Sequence, residues 1–302
     1  MIHVPGGYAT IGEALAAAQR GEIVQIAPGE YREALEIDHP VTLRGSPHGE
    51  TALVGADDAP AIYVHDTSGV HIDGLTIVGG QYGIFVTRSR DVTIAGNTIT
   101  GSRLAGVKVR MGAADILNNI ITDAQPPYGR GIHITNTNGW PASRIIGNTV
   151  SGNAHSGIVT NMAGRVVIAD NLVTGNGQRG IAVTEMSDAL VEDNQVEDNT
   201  GIGIYVSDTS MAAVCNNTVV RSLLPTITGS ARYGNGITID FGAQVELHHN
   251  TVSGSANYGI SVLDTSSATL GENDVHDNAG ADLWLDGSAQ TVGSASLPGS
   301  CQ

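Results

Sequence analysis

The chain has 302 residues with 14 basic and 30 acidic side chains, a net charge of −16, which argues against nucleic acid as a partner because phosphate binding needs a basic surface. No segment is long and apolar enough to predict a transmembrane helix, so we expect no membrane partner. Charged residues are only 15% of the chain and glycine contributes 40 residues, a composition typical of strands joined by tight turns.

The N-terminal segment 9–20 is predicted to form a short amphipathic helix. Thr10 is a suitable N-cap, Glu13 is the reciprocal partner of a capping box, and Gly21 ends the helix. Three strand-like runs follow, at 23–26, 31–37 and 41–43. A helix in this position would cover the open end of a stack of strands, whose exposed edge would otherwise recruit further strands.

A repeat dominates the rest of the chain. A Gly-Ile-x-Val-like strand is followed, about a dozen residues later, by Asn-x-Ile or Asn-x-Val. The repeated asparagines are Asn97, Asn119, Asn148, Asn171, Asn194, Asn217, Asn250 and Asn273, at spacings of 22, 29, 23, 23, 23, 33 and 23 residues. A regular period of this length predicts a solenoid. We expect the asparagines to form a structural ladder at the turn before the third strand of each coil, and not to bind a ligand.

Aligned by the repeat, the Gly-Ile-x-Val strands point their Ile and Val side chains inward, because side chains alternate between faces along a strand. The intervening positions form two outward columns. The first is Tyr63, Phe85, Lys108, His133, Val159, Ala182, Tyr205, Thr238, Ser261 and Trp284. The second is His65, Thr87, Arg110, Thr135, Asn161, Thr184, Ser207, Asp240, Leu263 and Asp286.

The opening of the chain supports the same architecture. It contains Val-Pro-Gly-Gly-Tyr-Ala-Thr-Ile-Gly-Glu-Ala-Leu, then Val-Gln-Ile-Ala-Pro-Gly-Glu-Tyr-Arg-Glu, then Ile-Asp-His-Pro-Val-Thr-Leu-Arg-Gly. With the later repeats, this resembles right-handed parallel β-helix proteins of the pectate-lyase-like superfamily. The resemblance covers nearly the whole chain. It implies an all-β right-handed parallel β-helix, and membership among polysaccharide lyases, C5-epimerases, glycosidases, esterases or non-catalytic binding proteins.

We expect a single β-helix domain over 1–302. Residues 1–45 would be the N-terminal cap and first coils, 46–287 the regular coils of about 22–23 residues, and 288–302 a C-terminal tail. The printed chain begins without a basic or apolar leader. We therefore expect a cytoplasmic protein, or a secreted one if a signal peptide has been removed. The oligomeric state does not follow from the sequence.

Two insertions interrupt the period, in segments 124–141 and 222–235. Insertions in a repeat array project as loops, commonly at the binding face. They carry three of the twelve aromatic residues of the chain, Tyr128, Trp140 and Tyr233. We predict that these side chains form the walls of a substrate groove.

Lys108 is the one lysine of the chain, and the alignment makes Arg110 and His133 its neighbours. A lysine beside other cations can have a depressed pKa and act as a general base, whereas an arginine stays charged. Segment 88–130 also holds six of the fourteen cations: Arg88, Arg90, Arg103, Lys108, Arg110 and Arg130. The sequence thus predicts the local basic patch that an anionic saccharide or other small anionic substrate would need.

Farther along the same face the charge reverses, with Glu185, Asp208 and Asp240 around Tyr205. Paired carboxylates are the catalytic groups of glycoside hydrolases. They also bind Ca²⁺. No His or Cys residues have the spacing of a zinc site. We therefore expect no required cofactor, with Ca²⁺ as one option.

The leading hypothesis is an enzyme that abstracts a proton next to a carboxylate of a uronate-type saccharide, as a lyase or C5-epimerase. The catalytic candidates are Lys108, Arg110, His133, Tyr205 and Asp240. The substrate-binding candidates are Arg130, Tyr128, Trp140, Asn161, Glu185, Asp208 and Tyr233. The Asp-Pro-His run typical of mannuronan C5-epimerases is absent. The alternatives are a glycoside hydrolase using Glu185, Asp208 and Asp240, a cytoplasmic biosynthetic isomerase or cyclase, and a non-catalytic saccharide-binding protein.

Overall fold

The computed structural model describes residues 1–225 and 232–291. Its helix, Ile11–Ala17, is N-capped by Thr10, whose side chain and that of Glu13 form the predicted capping box. The helix is shorter than predicted because Ala18 already has extended backbone and the chain turns to begin the next strand. Its buried face, including Leu15, packs against the first coils, which confirms the predicted cap.

The remaining elements are strands of three parallel sheets, one strand of each sheet per regular coil. The first sheet carries the Gly-Ile-x-Val strands: Leu35–Ile37, Ile62–His65, Tyr82–Thr87, Ala105–Arg110, Arg130–Thr135, Ser156–Asn161, Arg179–Thr184, Ile202–Val206, Asn235–Ile239, Ile260–Val262 and Leu283–Leu285. This arrangement confirms the predicted all-β parallel solenoid.

The second sheet follows the first in each regular coil and extends to the N-terminus. It contains Ile2–Val4, Glu22–Ile26, Val41–Arg44, Ser68–Asp73, Arg90–Ala95, Ala114–Leu117, Ser143–Ile146, Val166–Ala169, Asp188–Glu192, Met211–Cys215, Gln244–His248, Ser267–Leu270 and Gln290–Thr291.

In the third sheet, each strand from Thr98–Thr100 onward directly follows a repeated asparagine. The sheet contains Gly29–Tyr31, Thr51–Gly55, Thr76–Gly79, Thr98–Thr100, Ile120–Thr122, Thr149–Ser151, Leu172–Thr174, Gln195–Glu197, Thr218–Val220, Thr251–Ser253 and Asp274–His276. The predicted run at 31–37 is therefore two strands in different sheets.

The core is the stack of inward side chains from the three sheets. The Ile and Val pairs of the first sheet, such as Ile132 with Ile134 and Ile181 with Val183, are fully buried. Burial of each such side chain contributes roughly 1.5–3 kcal/mol, so these columns are the main stabilising contribution. In the part of the chain that is described, no helix is long and apolar enough to cross a membrane.

The asparagine ladder is confirmed. The Oδ1 of Asn119 accepts hydrogen bonds from the backbone N–H of Asn97 at 2.9 Å and from its Nδ2 at 3.1 Å. The pattern repeats along the column to Asn273. A second ladder, which the sequence interpretation missed, runs through Asn153, Asn176 and Asn199. It fixes the turns that lead into the first sheet.

Candidate functional site

The strand register brings the predicted outward residues together. Lys108 pairs with Phe85 on one side and with His133 on the other, and His133 pairs with Val159. Arg110 lies two residues beyond Lys108 on the same strand, paired with Thr135. The prediction that Lys108, Arg110 and His133 are neighbours is confirmed.

Lys108 begins a directed chain of hydrogen bonds. Its Nζ lies 2.7 Å from Nδ1 of His133, and Nε2 of His133 lies 2.6 Å from Oδ1 of Asn161. Nδ2 of Asn161 donates to Thr184 Oγ1 at 2.7 Å, and Thr184 donates to the carbonyl of Thr160. The acceptor at Asn161 places the proton of a neutral His133 on Nε2, so Nδ1 accepts from Lys108.

The surroundings of Lys108 favour its neutral form. The side chain is 8% exposed, and burial, then Arg130, then Arg110 lower its pKa to about 7. The pKa of His133 lies well below its ordinary value because of burial and of the nearby Lys108. Within residues 1–225 and 232–291, no carboxylate forms an ion pair with Lys108, Arg110 or Arg130. An amine that loses its proton near neutral pH suits a general base.

A third outward column lies at the amino edge of the first sheet, one residue before the repeated glycines. The register aligns Arg130 with Ala105 and Arg179 with Ser156, so the two arginines are two coils apart. The glycine after Arg179 is required, because a Cβ on Gly180 would lie 2.6 Å from the carbonyl oxygen of the next coil. The sequence interpretation missed Arg179, although Arg-Gly-Ile occurs at both positions.

The side chain of Arg179 is held in place by an aromatic ring. Its guanidinium carbon lies 4.3 Å from the ring centroid of Tyr205, within the range of a cation–π contact. The Nε atoms of Arg130 and Arg179 are buried and have no hydrogen-bond partner among the described residues. Tyr205 is itself buried, and burial raises its pKa. We call Lys108, Arg110, Arg130 and Arg179 the cationic cluster.

His155 is a second residue that the sequence interpretation missed. Burial, Arg130 and Arg179 lower its pKa to about 4, so it is neutral at pH 7. It lines a cavity of about 380 Å³ with Gln178 and Tyr233. The cavity places Tyr233 beside the amino edge, on the side where the cationic cluster lies.

The other two predicted groove aromatics differ in position. Tyr128 is 61% exposed and follows Pro127, which lines the same cavity as Tyr233. Trp140 lines a separate cavity of about 400 Å³ with Arg20, Asp66 and Arg88. The long turn after the strand Arg130–Thr135 carries Trp140 to the carboxyl edge of the first sheet, toward the N-terminal coils. Trp140 therefore does not share a wall with Tyr233.

The predicted carboxylates differ from one another. Asp240 is 1% exposed and accepts a hydrogen bond from Arg232 at 2.6 Å, while Arg232 also donates to Asp264 at 2.7 Å. The main effect on the pKa of Asp240 is burial, which raises it, while Arg232 opposes that shift. Glu185 and Asp208 are exposed in the turns at the carboxyl edge. We call Arg232, Asp240 and Asp264 the ion-paired end; the interpretation of the 222–235 insertion overlooked Arg232.

Tyr205 links the two regions, since its hydroxyl lies 3.5 Å from Oδ2 of Asp240. Among the described residues, no three His, Cys, Asp or Glu side chains are grouped to bind a metal ion. The Ca²⁺ option stays a prediction.

The sequence matches the model of a right-handed β-helix region over residues 60–219 and 223–294, more than half of the chain. The chain belongs to the right-handed β-helix family. It is therefore an all-β right-handed parallel β-solenoid; the repeat predicted the solenoid, and the family resemblance implied its handedness. No curated protein matches the sequence.

Solved structures show the same fold. The A-module of a mannuronan C-5 epimerase from Azotobacter vinelandii has a TM-score of 0.64 and 18% identity, with 94% of each chain covered. A pectate lyase has a TM-score of 0.56 and 13% identity, covering 92% of this chain and 78% of the other. The catalytic domain of a GH87 alpha-1,3-glucanase has a TM-score of 0.61 and 12% identity, covering 96% and 67%. At these identities the likeness concerns the fold alone.

Proposed function

We propose that this protein acts on an acidic, uronate-type saccharide by removing a proton next to a carboxylate, with Lys108 as the base. The observation that carries the proposal is the environment of Lys108. It is buried, its pKa lies near 7, and Arg110 and Arg130 flank it without an ion-paired carboxylate among the described residues, while Glu185 interacts with Arg130 at longer range. Cations that lack a protein counter-ion favour an anionic ligand.

In the proposed step, neutral Lys108 takes the C5 proton of the sugar. The electron pair of the C–H bond moves onto the carboxylate, which becomes an enediolate stabilised by Arg110 and Arg130. The C4 substituent then leaves with its bonding electrons and takes a proton from the Lys108 ammonium or from water, which gives a C4–C5 double bond. Transfer of a proton from water to the opposite face of C5 instead gives the C5 epimer, and the Lys108 ammonium returns its proton to solvent. The two outcomes share the first step, and the epimerase and pectate lyase likenesses do not separate them.

The hydrogen-bond geometry divides the roles of Lys108 and His133. Nδ1 of His133 already accepts from Lys108, and Nε2 already donates to Asn161. His133 therefore acts as a positioning residue. A neutral Lys108 that donates one proton to Nδ1 keeps its lone pair for the substrate. Tyr205 lies three coils from His133, ~14 Å along the solenoid, and is too distant to act on the same sugar ring.

The glycoside hydrolase alternative is less well supported. It needs Asp240 as a free acid or base. The carboxylate of Asp240 instead binds Arg232 and the backbone N–H of Phe241. Its burial raises its pKa as a catalytic acid requires, and this is the observation in favour of the alternative.

The purified protein should be assayed against polymannuronate, polyguluronate and polygalacturonate. Unsaturated products are measured by ultraviolet absorbance, and exchange of the C5 proton is measured by NMR in deuterated water. We expect one of these signals with the wild type and its loss in Lys108→Met. Neither signal on any polyuronate, or equal rates in Lys108→Met, would overturn the proposal.

A further inference from the structure

Arg179 has features of a ligand-binding residue that the proposed proton transfer does not use. It lies two coils beyond Arg130 in the same column, ~9.6 Å away along the solenoid axis. That spacing of the backbone positions suits carboxylates on different sugar units of one chain.

The guanidinium groups of Arg130 and Arg179 lack the pairing found elsewhere in this protein. Arg44, Arg144 and Arg221 each bind an aspartate through Nε. In contrast, Nε of Arg130 and Nε of Arg179 are buried without a partner in the described chain. A buried donor without an acceptor costs free energy, and an oxyanion of a ligand would remove that cost.

The surroundings of Arg179 are arranged for binding. Tyr205 fixes the guanidinium by stacking, so little side-chain entropy is lost when a ligand binds. The neighbouring Gln178 has a buried Oε1 without a hydrogen-bond partner in the described chain, suited to accept a sugar hydroxyl. His155, between the two arginines, is kept neutral at pH 7, and the cavity of about 380 Å³ opens beside it.

We propose that Arg179, with Gln178, forms a second carboxylate subsite two coils from Arg130, so that the ligand is an oligosaccharide carrying uronates on more than one sugar unit. The oligosaccharide lies along the solenoid axis, from Lys108 toward Tyr205. The inference rests on the proposed function for its class of ligand. It adds that a single uronic acid fills only part of the site.

The test is binding, measured by calorimetry with uronate oligomers from monomer to hexamer and with their carboxyl-reduced counterparts. We expect Arg179→Gln to weaken binding of the longer acidic oligomers about 10- to 100-fold and to leave the monomer unchanged. The matched control is Arg165→Gln, because Arg165 is exposed on a turn that leads into the second sheet. We expect the control to match the wild type.

Equal weakening by Arg179→Gln and Arg165→Gln would overturn the subsite. So would equal weakening for carboxyl-reduced oligomers, because that would show a packing role for Arg179 on Tyr205. Failure of the subsite is distinct from failure of the proposed reaction. Binding that depends on Arg179 without turnover contradicts the reaction alone, whereas turnover and binding unaffected by Arg179→Gln contradict the subsite alone.

Discussion

Two stretches of the same outer face handle positive charge in opposite ways. In the cationic cluster, Lys108, Arg130 and Arg179 are buried or partly buried without an ion-paired carboxylate in the described chain. At the ion-paired end, Arg232 binds both Asp240 and Asp264. The fold is the same in both stretches, so the difference comes from side chains that the repeat does not dictate.

The contrast distinguishes charges that are paired within the protein from charges that can bind a ligand. A buried charge without a partner is unfavourable for folding, and removal of one partner from a buried ion pair is destabilising. The ion-paired end satisfies its charges within the protein. The cationic cluster does not, and in a chain of net charge −16 its charges are available to a ligand.

The largest expected effect is the loss of activity when Lys108 of the cationic cluster is replaced. Lys108→Arg keeps the charge but cannot lose a proton near neutral pH, so we expect kcat/KM on the active polyuronate to fall by about 10²–10⁴-fold. The kcat/KM of Lys108→Met should fall by a similar factor. Steady-state kinetics measure both, with circular dichroism as the control for folding. Activity close to the wild type in Lys108→Arg would contradict a base role.

The next effect concerns the ion-paired end. Asp240→Asn removes the charge that Arg232 binds, so we expect the free energy of unfolding to fall by about 1–3 kcal/mol, with uronate turnover retained. Urea denaturation and the same kinetic assay measure the two quantities. Asp264→Asn is the matched control, because Asp264 is more exposed and should have a smaller effect. Loss of hydrolysis of a neutral glycan, without a stability change, would support the hydrolase alternative.

A smaller effect is expected from substitution of Asn161, which tests the positioning role of His133. Asn161→Ala removes the acceptor for Nε2–H, so we expect kcat to fall roughly tenfold with KM retained, because Lys108 is less well positioned. Asn161→Asp keeps the acceptor and adds a negative charge. It should raise the pKa of Lys108 and move the pH profile to higher pH. The same profile in both variants would contradict a positioning role.

The last expected effect is a pH dependence of stability and activity. Lys108 has a pKa of about 7 in the folded protein and 10.5 ordinarily, so between these values the unfolded chain binds a proton that the folded chain does not. Stability should therefore rise as the pH increases from about 7 toward 10.5. The increase should be absent from Lys108→Met in urea denaturation at several pH values. In the wild type, kcat/KM should rise through pH 7, since only neutral Lys108 acts as a base.

The sequence predicts the neighbours of those site residues that occupy equivalent positions in the repeat. Lys108 and His133 occupy equivalent positions in successive strands, so their contact followed from the alignment. Arg179 was missed because only positions after the repeated glycine were aligned, and the arginine precedes it. The partner of Asp240 was missed because Arg232 lies in the 222–235 insertion, where no period relates one residue to another.

The sequence alone predicted the solenoid. Alternating Ile and Val side chains fill its core, and the ladder of asparagines supplies hydrogen bonds to its turns in the same register. The sequence also predicted that Lys108, Arg110 and His133 lie together on the outer face, but it did not predict the column that precedes the repeated glycines. Only the tertiary structure decided which outward charges are paired. Burial, the Tyr205–Arg179 stack and the Arg232 ion pairs arise from contacts between coils and an insertion. These contacts made Lys108 a buried amine with a pKa near 7 and left Arg179 available to a ligand.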